Sequence, residues 1–189
     1  MGYNIPMKEL LNIVDENDEI TGQRTREEIH QEGLLHREIH VYFITPDRKI
    51  IFQHRAKDKD TYPDLLDATV GGHVEIGQSY EEAAIRETEE ETGVKVNPQD
   101  LIFIKKIRRS SHDKVTGKIN SGFKAEYLYV YRGDIKDLKI EAGKALGFEA
   151  WLIDELASLK DKDEAKFILG ILHFVINEVA DFIKTIELQ

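Results

Sequence analysis

The chain has 189 residues, no cysteine, and 26 Lys+Arg against 36 Asp+Glu, a formal net charge of −10. The missing thiol excludes disulfides, Cys-ligated metal and a cysteine nucleophile, and the acidic balance argues against nucleic acid as a partner. No apolar run approaches the ~20 residues that span a bilayer, and the opening MGYNIPMKEL lacks the pattern of a signal peptide, so the expectation is a cytoplasmic protein without a membrane partner.

The length suits one domain over 1–189, with an N-terminal extension at 1–38 and a C-terminal helical segment at 154–189. Leu10–Val14 and Ile20–Gln23 flank the polar cluster Asp15-Glu16-Asn17-Asp18 and read as a short hairpin. Thr25 and Glu28 form a capping box that opens a short helix, and Gly33 ends it. His40–Thr45 and Lys49–His54 are β-rich runs joined by the turn Pro46-Asp47-Arg48. Ala68-Thr69-Val70 reads as a short strand leading into Gly71-Gly72, and a helix is expected from Ser79 to about Thr92. Leu101–Ile107 and Ala125–Tyr131 read as strands joined by a long polar loop, and Trp151-Leu152-Ile153 as a further strand before a helix start at Asp154. From Lys162 to Lys184, Ile168, Ile171, Leu172, Val175, Val179, Phe182 and Ile183 share one helical face. Such a stripe is core packing or a dimer contact, so the chain is expected as a monomer or homodimer. Mixed strands and helices, with strands in the majority, predict α+β or α/β with a mixed sheet.

Chemistry concentrates between Gly72 and Val94. Ser79 and Glu82 make a second capping box, and Gly93 supplies a left-handed stop, so this helix is locally specified. Glu87 stands three and four residues before Glu90 and Glu91, so the three carboxylates project from neighbouring points of one helical surface. Packed so, they repel one another unless a cation sits among them. Arg86 offsets part of that charge by its reach to Glu82 and Glu90; the remainder suits a hard cation such as Mg²⁺ or Mn²⁺.

These residues match the Nudix box: Gly, five residues, Glu, seven residues, then Arg-Glu-aliphatic-x-Glu-Glu-x-Gly-aliphatic. The chain resembles the Nudix hydrolases. The resemblance implies a mixed β-sheet sandwiched between helices, and cleavage of a nucleoside diphosphate derivative or related phosphorylated small molecule. Carried over by position, it implies Glu87, Glu90, Glu91 and the Gly72 carbonyl as ligands of Mg²⁺ or Mn²⁺. Arg86 then orients the glutamates, and Glu87 and Glu90 stand with it in the catalytic set. The general base is implied to be Glu87 or a glutamate elsewhere, with Glu126, Glu141 and Glu149 open. Gln78 stands where the box has its first Glu and keeps a carbonyl oxygen able to hold a metal-bound water; Thr88 replaces an aliphatic residue.

Similarity extends over about residues 10–155, where Gly33-Leu34-Leu35-His36-Arg37, Gln53-His54-Arg55 and Lys57-Asp58-Lys59-Asp60 look like the N-terminal part of isopentenyl-diphosphate isomerases and related Nudix hydrolases. By that likeness Arg55 and Lys59 lie near a substrate diphosphate, and Gln78 is a further candidate for substrate contact. The isomerases use a cysteine at the position of Leu66–Val70, and this chain has none, so isomerase chemistry is disfavoured. A Nudix-fold module that binds without turnover is the remaining alternative, motivated by Gln78.

Overall fold

The computed structural model describes residues 9–59, 61–186 and 188. Alternation builds the centre of the molecule. In β3 (His36–Ile44), Ile39, Val41 and Phe43 enter one apolar cluster while Tyr42 and Ile44 enter another on the opposite face, as a period of two demands of a strand buried on both sides. The first cluster is covered by Ala83 and Ala84 of the helix α2 (Tyr80–Thr92); the second is covered by Phe167, Phe174, Val175 and Val179 near the C-terminus. The result is an α+β fold, a mixed sheet between helical layers.

The elements before β3 follow the expected order. Strands β1 (Leu10–Val14) and β2 (Ile20–Thr25) pair as a hairpin, and α1 (Arg26–Glu32) starts on the complete Thr25–Glu28 capping box and stops at Gly33, φ 68°. Asp18 ties that hairpin to the rest. It takes hydrogen bonds from Arg37 Nε at 2.7 Å, from Tyr80 OH at 2.9 Å and from Lys106, fixing the first residue of α2.

Strand β3 begins at His36, four residues earlier than expected, because its N-terminal half has a partner of its own. Its C-terminal end pairs antiparallel with β4 (Lys49–Arg55) only at Phe43 and Ile44, whereas Glu38–Val41 pair with β6 (Val70–His73). The sheet forks there. Between β5 (Leu66–Asp67) and β6, Thr69 plugs the fork: its hydroxyl accepts from the Phe43 amide at 2.8 Å and donates to the Ile51 carbonyl. Thr69 therefore lies between two strands rather than inside one, and the fork opens a crevice behind Gly71 and Gly72.

On its other edge β3 pairs in parallel with β8 (Ile119–Val130), which forms a hairpin with β7 (Ile102–His112). Both strands outrun the expected boundaries. Arg108 to His112 are polar enough to read as loop, yet they are paired to Phe123 through Ile119, with Ser110 and Ser121 hydroxyls 2.6 Å apart. β9 (Ala145–Leu152) pairs with β4 and is likewise longer than the Trp151 run suggested.

Two single turns, α3 (Ile153–Leu156) and α4 (Asp161–Glu164), precede the C-terminal helix, which runs as α5 (Leu169–Phe174), a π-turn at Val175–Val179 and α6 (Ala180–Phe182). It does not start at Lys162. The backbone of Lys166 to Ile168 instead pairs with β5, through Leu66 N to Lys166 O at 2.7 Å and Ile168 N to Leu66 O at 2.9 Å. Among the described residues no helix is long and apolar enough to cross a membrane.

Candidate active site

Helix α2 presents its carboxylates in two directions. The Glu87 and Glu91 side chains are 8% and 4% exposed and face the fork, whereas Glu90 is 49% exposed and lies on the solvent side. The spacing that put all three on one surface holds along the helix; the sheet then buries two and leaves the third outside. Arg86 joins the two halves. Its Nη2 lies 2.9 Å from Glu87 Oε1 and donates to the His73 carbonyl at 3.2 Å, while Nη1 donates to Glu90 Oε2 at 2.8 Å. Gln78 joins this set at its edge, its Oε1 accepting from the Glu75 amide at 3.3 Å and from Arg86 Nη2 at 3.5 Å. The expected contact of Arg86 with Glu82 is replaced, because Glu82 closes the capping box on Ser79.

Gly72 explains why Glu87 can enter the fork. A Cβ built there would stand 2.2 Å from Glu87 Cδ and 2.3 Å from Oε1, so only glycine leaves room for the carboxylate. Glu91 is held more fully, accepting from Gln53 Nε2 at 2.9 Å and from the Gly71 amide at 3.4 Å. Glu87 Oε2, though buried, has no hydrogen-bond partner.

Electrostatics follow from that burial. Burial first, and the neighbouring Glu87 second, push the Glu91 carboxyl up to about 7. Burial raises Glu87 as well, against the opposing pull of Arg86 and Lys144. Lys144 is a partner that sequence reasoning missed. Its Nζ lies 3.7 Å from Glu91 Oε1, 3.8 Å from Glu87 Oε2 and 2.9 Å from Glu141 Oε2. Burial works against its charge, but Glu141, Glu91 and Glu87 together hold the ammonium above its usual range.

A cavity of about 870 Å³ opens beside the two buried glutamates and reaches the β7–β8 hairpin and the residues before α5. Arg55 and Lys59 both line it. Arg55 staples its own loop, donating to the Thr61 and Tyr62 carbonyls and, at 2.8 Å, to Asp67 Oδ2. Asp113 closes the far wall. Its carboxylate accepts from the Tyr62 amide at 2.8 Å and from Thr116 Oγ1 at 2.6 Å, docking the hairpin tip on that loop. Of the other glutamates, Glu126 is fully buried and pairs with His40 Nδ1 at 3.1 Å, Glu149 is on the exposed side with Trp151, and Glu141 reaches the buried pair through Lys144.

A second polar cluster sits beside the same cavity, which His30, Glu38, His73 and Lys124 also line. His30, His36 and His73 bring ring nitrogens within 4.8 Å of one another, a spacing able to hold a metal ion, with His30 Nε2 and His73 Nε2 at 3.2 Å. Against them lies a buried ion pair, Glu38 Oε2 to Lys124 Nζ at 2.8 Å. Burial holds His73 well below its usual range, so its ring is neutral at pH 7. The β3–β6 and β3–β8 pairings assemble this cluster from residues far apart in sequence, which no local spacing announces.

A model of the NUDIX domain matches residues 34–169. An uncharacterized Nudix hydrolase of Clostridium acetobutylicum is 31% identical over 175 residues, covering 90% of this chain and 82% of that protein. Among solved structures, DR0079 from Deinococcus radiodurans matches with a TM-score of 0.60 at 26% identity, over 79% of this chain and 88% of that one. The NUDIX domain of Shewanella oneidensis NrtR, solved with ADP ribose, matches with a TM-score of 0.58 at 12% identity, over 85% of this chain and 99% of that one, a likeness of fold.

Proposed function

The chain belongs to the Nudix family and is a Nudix-type hydrolase, and from that premise we propose that it cleaves the diphosphate linkage of a nucleoside diphosphate derivative with the help of Mg²⁺ or Mn²⁺. The observation that carries this reading is the Glu87–Glu91 pair buried against Gly72. Two buried carboxylates face a crevice that only glycine leaves open, and one of their oxygens, Glu87 Oε2, has no hydrogen bond to give up. An all-oxygen donor set of this kind fits a hard divalent ion, with Glu87, Glu91, the Gly72 carbonyl and, after a side-chain rotation, Glu90 as its holders.

Such an ion, when bound, polarises a phosphoryl oxygen and neutralises charge on the leaving phosphate. The chain's own groups supply the rest. Arg86 fixes Glu87 through one nitrogen and holds Glu90 nearby through the other, so Glu87 is oriented before substrate arrives. Glu87 is our candidate base, and would accept the proton of the attacking water through a carboxylate oxygen that the ion leaves free. Arg55 holds the 61–62 loop as one wall, and with Lys59 it adds positive charge along the cavity. The volume of about 870 Å³ lies in the range of sites that enclose a nucleotide-sized ligand.

ADP ribose, present in the Shewanella neighbour, is a natural first probe beside sugar nucleotides, dinucleotides and non-nucleotide diphosphates. Wild type should release phosphate-bearing products from at least one of these only with Mg²⁺ or Mn²⁺ present. Turnover that persists in EDTA, or no turnover of any compound, overturns the proposal. Gln78 does not favour a non-catalytic module, because its carbonyl oxygen still meets Arg86. The cysteine-free β5–β6 region keeps isomerisation of a prenyl diphosphate disfavoured.

A further inference from the structure

Lys144 stands where a cation is needed in the metal-free protein. Its ammonium is within ion-pair range of both buried glutamates, yet at 3.7 and 3.8 Å it is hydrogen-bonded to neither; its short contact is Glu141 at 2.9 Å. Its backbone is fixed. The Lys144 amide donates to the Glu141 carbonyl at 3.1 Å, and the Lys144 carbonyl accepts from the Ala56 amide at 3.1 Å. The side chain is one-third exposed and lines the cavity. A fixed backbone carrying a long side chain, whose ammonium has one short partner at the rim in Glu141, can swing that charge by rotamer change alone.

We propose that Lys144 is a two-position cation: counter-ion of Glu87 and Glu91 in the metal-free protein, and a ligand of the substrate's phosphate once a divalent ion has taken over those carboxylates. The argument is one of charge balance. Two buried carboxylates side by side need compensation, and Arg86 serves Glu87 but makes no contact with Glu91. Lys144 is the cation that reaches Glu91 among the described ion pairs. When the carboxylates are neutralised by a divalent ion, their hold on the ammonium weakens and like charge drives it away. The cavity is where it can go, and a diphosphate entering that cavity brings the negative charge it has lost. Glu141 limits the swing, keeping the ammonium at the rim between the two positions. Lys144 thus opposes metal binding and favours substrate binding, so the site is charge-balanced both empty and loaded.

The inference rests on the metal-dependent hydrolase reading, but its first test uses metal alone. Mn²⁺ binding to the full chain without substrate is followed by the free-ion EPR signal at pH 8.5 under argon, where the carboxylates carry their charge. Lys144→Met should bind Mn²⁺ roughly tenfold more tightly than wild type, the scale expected for removing one partly screened charge near the ion. Lys144→Arg, which keeps the charge, should stay near wild type. The second test is binding of α,β-methylene-ADP to the Mg²⁺-loaded protein, which should weaken roughly tenfold in Lys144→Met and recover in Lys144→Arg, as for loss of one charged hydrogen bond. If Lys144→Met fails to melt cooperatively, Lys144→Gln takes its place. Mn²⁺ affinity that is unchanged or weaker, or nucleotide affinity that is unchanged, overturns the two-position role. Wild type that binds Mn²⁺ but hydrolyses nothing would instead sink the hydrolase reading and leave the metal comparison intact.

Discussion

Replacing Glu91 with Gln should make the metal-free protein more stable above neutral pH, not less. The carboxyl is 4% exposed and its pKa stands at about 7 against an ordinary 4.5, burial being the first cause and Glu87 the second. Below the unfolded value both states hold the proton and the shift contributes nothing. Between 4.5 and about 7 the unfolded chain ionises while the folded one does not, so stability falls as pH rises. Above that window the folded protein carries the full cost of an ionised, buried Glu91, about 3 kcal/mol from a shift of roughly two and a half units. Gln is shaped like protonated Glu and keeps an oxygen for the Gln53 and Gly71 donors. The Lys144 attraction is already contained in that figure; burying an uncharged amide in place of the protonated acid still costs part of it, so the realised gain is nearer ~1–2 kcal/mol, or roughly 2–8 °C for a chain of this size. Calorimetric melting of wild type and Glu91→Gln in EDTA at pH 5, 6.5 and 8 reads it directly. The variant's advantage should widen with pH, and millimolar Mg²⁺ should reverse it by stabilising wild type alone. A Glu91→Gln protein that melts at or below wild type at pH 8, or an offset that ignores pH, would show that Glu91 is not a strained buried acid.

Gly72→Ala should separate function from folding. The added methyl meets the far end of a flexible side chain, Glu87, so stability should drop by only ~1 kcal/mol while hydrolysis falls at least a hundredfold; retention of near-normal turnover would remove Glu87 from the reaction. Arg86→Lys keeps the charge but cannot serve Glu87 and Glu90 from two fixed nitrogens. A tenfold or greater fall in kcat with little change in melting is expected, and an unchanged kcat would mean that charge alone is what matters there. Asp113→Ala should release the hairpin tip from Tyr62 and loosen its own turn at Thr116, at ~1–3 kcal/mol for the lost bonds. Faster hydrogen exchange at 61–62 and 113–118 with a raised KM is the expected pair of readouts, and unchanged exchange would refute the docking role.

Sequence was most legible where structure is local. Helix α2 carries its own start and stop in Ser79, Glu82 and Gly93, and α1 does the same with Thr25, Glu28 and Gly33. Both emerge at the expected boundaries because the capping side chains need nothing beyond their own turn. Long-range pairing was not legible. Arg108 to His112 look like loop because no apolar alternation marks them; their strand character comes from the partner β8. Ile168 looks helical by its spacing, but the edge of β5 captures the backbone of Lys166 to Ile168 before the helix can start. The same limit applies in the site. Arg86, Glu87, Glu90, Glu91 and Gly72 were readable from one motif, and the division of the glutamates into a buried pair and an exposed third was not, since it depends on where the sheet forks. Lys144 lies more than fifty residues from α2 and was invisible for the same reason.

The fork also bears on Gln78, the position at which the motif departs from its pattern. A carboxylate there would add a fourth negative charge beside Arg86, which already meets Glu75 at 3.6 Å, Glu87 at 2.9 Å and Glu90 at 2.8 Å. The Gln78 carbonyl oxygen accepts from the same guanidinium and from the Glu75 amide, so the loop keeps its shape without that charge. Lys144 compensates the other side of the pair, facing Glu87 Oε2 and Glu91 Oε1. One guanidinium and one ammonium thus bracket the buried carboxylates. With both already in place, a glutamate at 78 would enlarge a surplus of negative charge on the Arg86 side, where Glu75, Glu87 and Glu90 already share one guanidinium. The substitution removes charge at the one box position whose geometric duty, accepting from Arg86 and from a loop amide, a neutral oxygen can perform.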